Sequence, residues 1–126
     1  MTNAIRITAL DHIVLICADV DRTLGWYRDL LGLETVRFDE WKRGEVPFPS
    51  LRVSESTIID LVAGEPGDGR LDHFCLVVDP IDLDAIAASG DFDVVQGPAR
   101  RFGARGDGTS LYVRDPDGTV VELRHY

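Results

Sequence analysis

Two histidines and two carboxylates stand at matching places in this chain. His12 and His73 each follow a Leu-Asp pair and lie 61 residues apart, while Asp60 and Glu122 each interrupt an apolar, β-rich run and lie 62 apart. Imidazole nitrogens and carboxylate oxygens are ligands for one divalent ion such as Zn²⁺, Ni²⁺, Mn²⁺ or Fe²⁺, with positions left for water or substrate. A metal would also offset the cost of burying Asp60 and Glu122 on apolar strands. No two of the four are close in sequence, so only a symmetric fold can gather them. The competing reading has two satisfied strand histidines and two solvent-facing acids, and a single histidine would favour it.

The elements around these residues repeat as well. Leu10-Asp11-His12-Ile13-Val14-Leu15 is echoed by Leu71-Asp72-His73-Phe74-Cys75-Leu76, each a strand by its β-branched and apolar content. Asp19 or Asp21 can cap a helix whose Val20, Leu24, Tyr27 and Leu31 share one face, with Gly32 after its end. In the second half Asp79-Pro80 opens a shorter helix that Gly90 closes. Ser50-Leu51-Arg52-Val53 matches Ser110-Leu111-Tyr112-Val113 at 60 residues, and Thr57–Leu61 matches Thr119–Leu123. Asp115-Pro116-Asp117-Gly118 supplies the turn of the last hairpin.

Residues 39–49 read as loop, and Val94-Val95 as a brief strand. The repeat predicts an α+β fold with two tandem βαβββ modules, residues 1–66 and 67–126. Together they make one domain, a curved eight-stranded mixed sheet around a central cleft.

The paired Leu-Asp-His openings, the Arg-Asp-Pro-Asp-Gly-Thr turn and the closing Val-Glu-Leu-Arg resemble the vicinal oxygen chelate superfamily, the glyoxalase/bleomycin-resistance/dioxygenase fold. The resemblance covers nearly the whole chain. It implies a metal-lined cup, often completed in a homodimer, with His12, His73 and Glu122 at metal-ligand positions. Asp60 falls where glyoxalase I-like members place glutamate. Being one methylene shorter, it leaves open a fallback set of two histidines and one carboxylate, as in extradiol dioxygenases and fosfomycin-directed thiol transferases.

Three functions follow from that resemblance. The first is a metal-dependent lyase or isomerase acting on a small substrate with vicinal oxygens, in which Glu122 or Asp60 moves a proton through a metal-stabilised enolate. The second is an extradiol-type dioxygenase. The third is a metal-free, bleomycin-type protein that sequesters a drug; the acidic charge fits it, and the paired histidines do not.

Other side chains are candidates for substrate contact. Arg100, Arg101 and Arg105 lie among glycines in residues 99–109, either as a mobile lid holding an anionic group or as a solvated loop, and Arg105 is the arginine to test first. Tyr112 either lines the cleft or belongs to the core. Trp41 and Phe48 wall an apolar pocket or pack at a dimer contact.

Composition narrows the partners. A net charge of −9 argues against nucleic acid or an anionic membrane. No run approaches the roughly 20 apolar residues of a membrane span, and the N-terminus does not read as a signal peptide. Cys17 and Cys75 form no disulfide framework, so a cytoplasmic location is expected.

Overall fold

A computed structural model of the chain describes residues 4–65, 67, 69–114 and 120–126. The chain runs β1 (Ile7–Cys17), α1 (Val20–Leu31), β2 (Glu34–Val36), α2 (Phe38–Lys42), β3 (Ser50–Arg52), β4 (Ile58–Ala63), β5 (Leu71–Val78), α3 (Leu83–Ala88), β6 (Asp93–Gly103), β7 (Gly106–Arg114) and β8 (Val120–His125). All eight strands join one open mixed sheet in the order β2-β3-β4-β1-β5-β8-β7-β6. The order is mirrored about the β1–β5 junction. On either side of that antiparallel pair lies a parallel one, β1 with β4 and β5 with β8.

Alternation along the strands separates core from cavity. Leu15 and Cys17 of β1 and Ile59 and Leu61 of β4 pack with Leu51 under α1, against Val20, Leu24 and Tyr27. Their neighbours His12, Val14, Asp60 and Val62 line a cavity. The second half repeats this, with Val78, Leu111, Val113 and Leu123 packed against Leu83 and Ile86 of α3. Each fully buried leucine contributes about 1.5–3 kcal/mol relative to exposure, and such packing holds the two ends of the sheet.

Local chemistry sets the helix ends. Asp19 caps α1 by accepting the Arg22 N–H at 3.0 Å, and Gly32 closes it at φ 74°. The start expected for the second helix moves. Asp82, not Asp79, caps α3 by accepting the Ala85 N–H at 3.1 Å, while the Asp79 carboxylate lies 3.4 Å from Arg6 Nε. A short helix, α2, occupies part of the stretch read as loop. Its Phe38 and Trp41, one turn apart, both pack on the core cluster under α1.

The largest departure concerns residues 99–109, which form a regular hairpin rather than a loose lid. Arg100 pairs with Thr109, Arg101 with Gly108 and Gly103 with Gly106, leaving Ala104 and Arg105 as the turn. The brief strand expected at Val94-Val95 is the start of β6. The last hairpin pairs as expected, with Tyr112 opposite Glu122; its Asp115–Gly118 turn lies outside the described residues. Among the described residues, no helix is long and apolar enough to cross a membrane.

Candidate metal centre

Two β-bulges build the centre. Between β1 and β5 the register slips at Leu10/His12 and again at Val14/Leu15, so that Asp11 and Asp72 are the extra residues. A bulge turns a side chain that would otherwise point to the opposite face. Each aspartate therefore reaches its own histidine: Asp11 Oδ1 lies 2.7 Å from His12 Nδ1, and Asp72 Oδ2 lies 2.7 Å from His73 Nδ1. Holding Nδ1 on a carboxylate fixes the ring and leaves Nε2 to face a ligand.

Both Nε2 atoms converge on one oxygen. Glu122 Oε1 stands 3.1 Å from His12 Nε2 and 3.0 Å from His73 Nε2. Glu122 Oε2 accepts from Ser110 Oγ at 2.7 Å and from Arg124 Nη1 at 3.2 Å. The donor atoms of His12, His73 and Glu122 all lie within 4.8 Å of one another, and all three residues belong to one chain. Asp60 is the near relation left out of that set. Its Oδ2 is 3.8 Å from His12 Nε2, while its Oδ1 is held by Ser50 Oγ at 2.5 Å.

Burial and neighbours divide the titrating groups. Burial pulls the His12 pKa down, but hydrogen bonds with Asp11, Cys75 and Glu122 outweigh it and raise it to about 12. For His73 burial again opposes, and bonds to Glu122 and Asp72 prevail, so its pKa is also raised. Glu122 moves the other way: burial pushes it up, yet the two histidines and Ser110 hold it well below the usual carboxylate range. Asp60 is raised, chiefly by burial. Glu122 is thus held as an anion, while Asp60 is made a stronger base than a free aspartate.

The three-residue set fits a divalent ion. Two anchored imidazoles and one carboxylate supply suitable donors, and the side facing the cavity is open for water or substrate. Such an ion would have to displace the histidine protons. A second group, Asp11, His12 and Cys75, also brings its donor atoms within 4.8 Å. It fits poorly. Asp11 is already used by His12, the Ala104 N–H and the Tyr126 hydroxyl, and burial pushes the Cys75 thiol up to about 12, so it stays protonated.

The centre opens into a cavity of about 490 Å³. Phe48, Phe102, Val14 and Val62 give it apolar walls, and Tyr112, Arg37, Arg100 and Arg101 add polar ones. Tyr112 sets its ring edge-on to His73 at 5.4 Å, so it lines the cavity instead of closing the core. Phe48 is among the lining residues.

Two expected contacts lie elsewhere. Arg105, at the hairpin turn, sits over the Tyr126 ring at 4.2 Å and is not among the lining residues, because the tight β6–β7 turn carries it away. Trp41 packs beside Phe38 against the core under α1.

Sequence reasoning missed four participants. Asp11 and Asp72 carried a signal in the repeated Leu-Asp-His. Arg124 is fully buried, donating to the carbonyls of Phe102, Arg101 and Gly106 and to Glu122; its signal was the closing Val-Glu-Leu-Arg. Arg37 carried none. It is the non-glycine residue at positive φ among those described, at 60°, a conformation costing about 1–2 kcal/mol.

Comparison with known proteins places this geometry in context. The family model described as Glyoxalase/Bleomycin resistance protein/Dioxygenase superfamily matches residues 9–123. A glyoxalase domain-containing protein from Mycosarcoma maydis is 32% identical over 126 residues, covering 97% of this chain and 70% of that one. Among solved structures, methylmalonyl-CoA epimerase from Mycobacterium tuberculosis superposes with a TM-score of 0.66 at 22% identity, covering 99% of this chain and 92% of the epimerase. The 2,3-dioxygenase LapB from Pseudomonas sp. KL28 gives 0.68 at 22% identity, covering 95% of this chain and 43% of LapB.

Proposed function

Because the chain belongs to the Glyoxalase/Bleomycin resistance protein/Dioxygenase superfamily, we propose that it is a metal-dependent enzyme. Its reaction is a lyase- or isomerase-type proton transfer on a small substrate with neighbouring oxygens. The observation that carries this reading is the meeting of His12 Nε2 and His73 Nε2 on Glu122 Oε1 at the inner wall of the cavity. A divalent ion held by these three residues would supply Lewis acidity to a substrate carbonyl.

The chain's own residues divide the remaining work. His12 and His73 are oriented by Asp11 and Asp72, and Glu122, kept anionic, completes the ligand set. Asp60 lines the same cavity outside that set, with one oxygen fixed by Ser50. It is the carboxylate free to take a proton from one carbon and return it to the next, a role worth about 10²–10⁴-fold in rate. Phe48 and Phe102 exclude water from the substrate. Tyr112, whose hydroxyl burial keeps protonated, can donate a hydrogen bond to a substrate oxygen.

A second reading draws on the same three-residue set. Two histidines and one carboxylate also suit Fe²⁺ and O₂ chemistry on a catechol, and a fold neighbour is named a 2,3-dioxygenase. A neighbour named an epimerase points instead to proton transfer, and Asp60 beside the centre favours it.

The test has two stages. Protein purified without added metal is analysed for metal, with one divalent ion per chain expected. The loaded protein is then assayed with methylglyoxal–thiol adducts, catechols under oxygen, and electrophilic antibiotics. Turnover of the adducts, lost in Asp60→Asn while the metal stays, supports the proton-transfer reading. Catechol cleavage would transfer the assignment to the dioxygenase, and failure to take up any ion would leave only a binding protein.

A further inference from the structure

We propose that Arg37 is the receptor for a carboxylate carried by the substrate, so that the enzyme acts on a small organic anion. The inference rests on the cavity being the substrate pocket, as argued above. Arg37 lines that cavity, and its Nε and Nη2 atoms are buried and have no hydrogen-bond partner among the described residues. An unmatched pair of buried guanidinium N–H groups is costly, and a turn of the Arg37 side chain toward the cavity, where a ligand accepts both, removes the cost.

The two free atoms form one edge of the guanidinium. Elsewhere in this molecule the same edge grips carboxylates two-pronged: Arg28 gives Nε and Nη2 to Asp29 at 2.8 and 3.1 Å, and Arg43 gives them to Glu45 at 2.5 and 3.3 Å. Parallel N–H···O bonds of this kind match a carboxylate in geometry as well as charge.

The surroundings hold Arg37 ready. Its guanidinium carbon lies 3.8 Å from the centroid of the Phe102 ring and 5.0 Å from that of Phe48, contacts that fix its plane. The other cavity arginines are engaged, Arg100 with Asp107 and Arg101 with the Arg100 carbonyl. With Asp60, Asp72 and Glu122 lining the same space as these arginines, the cavity suits a singly charged carboxylate better than a dianionic phosphate.

Binding of benzoylformate, its methyl ester and phenyl phosphate is measured by calorimetry on the metal-free full chain and on the metal-loaded chain. In the metal-free chain benzoylformate is expected to bind about 10- to 100-fold more tightly than the ester, the range for a hydrogen bond to a charged group. Arg37→Met abolishes that preference, and Arg37→Lys recovers part of it. Circular dichroism melting confirms that the variants are folded.

Equal binding of acid and ester by the wild-type chain, a preference that survives Arg37→Met, binding of none of the three, or tighter binding of phenyl phosphate overturns the proposal. Loss of metal in His73→Ala tests the metal reading separately. If the chain takes up no ion yet keeps the acid preference, the proposed function falls and the arginine receptor stands.

Discussion

The imidazoles of His12 and His73 meet edge to face, with centroids 5.6 Å apart and planes at 82°. They come from the two strands at the centre of the sheet, and the antiparallel β1–β5 pairing sets each beside the other. In that arrangement their Nε2 atoms share Glu122, whereas Asp60 stops short. Metal affinity should therefore fall in His12→Ala, His73→Ala and Glu122→Ala by more than the roughly 10- to 100-fold that losing a supporting residue costs. Asp60→Ala should keep its metal. Competition titration against a chromogenic chelator measures all four, and loss of metal in Asp60→Ala would restore it as a fourth ligand.

The two supporting aspartates should separate by burial. Asp72 is exposed and Asp11 fully buried. Asp72→Ala is expected to weaken metal binding by about 10- to 100-fold with little change in melting temperature. Asp11→Ala should do the same and also lose about 1–3 kcal/mol of stability, since the Ala104 N–H and the Tyr126 hydroxyl lose their acceptor. Urea unfolding of the two variants in chelator distinguishes them.

Protons and metal compete for the same nitrogens. His12 keeps its proton up to about 12 and His73 is raised from 6.5, so uptake of an ion expels protons and affinity should rise with pH. Stability of the metal-free chain should follow a different course. A histidine whose folded pKa is raised contributes fully below 6.5, and the contribution fades as pH climbs toward 12. Glu122, depressed in the fold, contributes above 4.5 and loses that contribution as pH falls below it. Melting in chelator across this range, and calorimetry in buffers of different ionisation heat, check both signs. Metal affinity independent of pH would contradict the protonated cluster.

Close approach explains one glycine of the β6–β7 hairpin. A Cβ on Gly103 would sit 2.5 Å from the guanidinium carbon of Arg124 and 2.8 Å from Asp11 Oδ1. Gly103→Ala should cost about 1–3 kcal/mol, as overpacking does, and should weaken metal binding by disturbing Asp11. Gly67→Ala, whose added Cβ meets nothing within 4 Å among the described residues, should stay within about 0.5 kcal/mol of wild type. Chemical denaturation of both variants supplies the comparison.

The sequence by itself determined the eight-stranded plan and the pairing of His12 with His73, because a duplicated strand pattern repeats its polar residues as well as its apolar ones. Even the bulged aspartates were written in the repeated Leu-Asp-His, although their purpose was not. Only the tertiary structure decided that Asp60 stands aside from the three-residue set, that Arg105 turns away, and that Arg37 lines the cavity with two N–H groups unmatched among the described residues. Those outcomes depend on distances between strands and on a backbone angle of 60° at Arg37. Neither is encoded in local spacing, because residues far apart in the chain set them together.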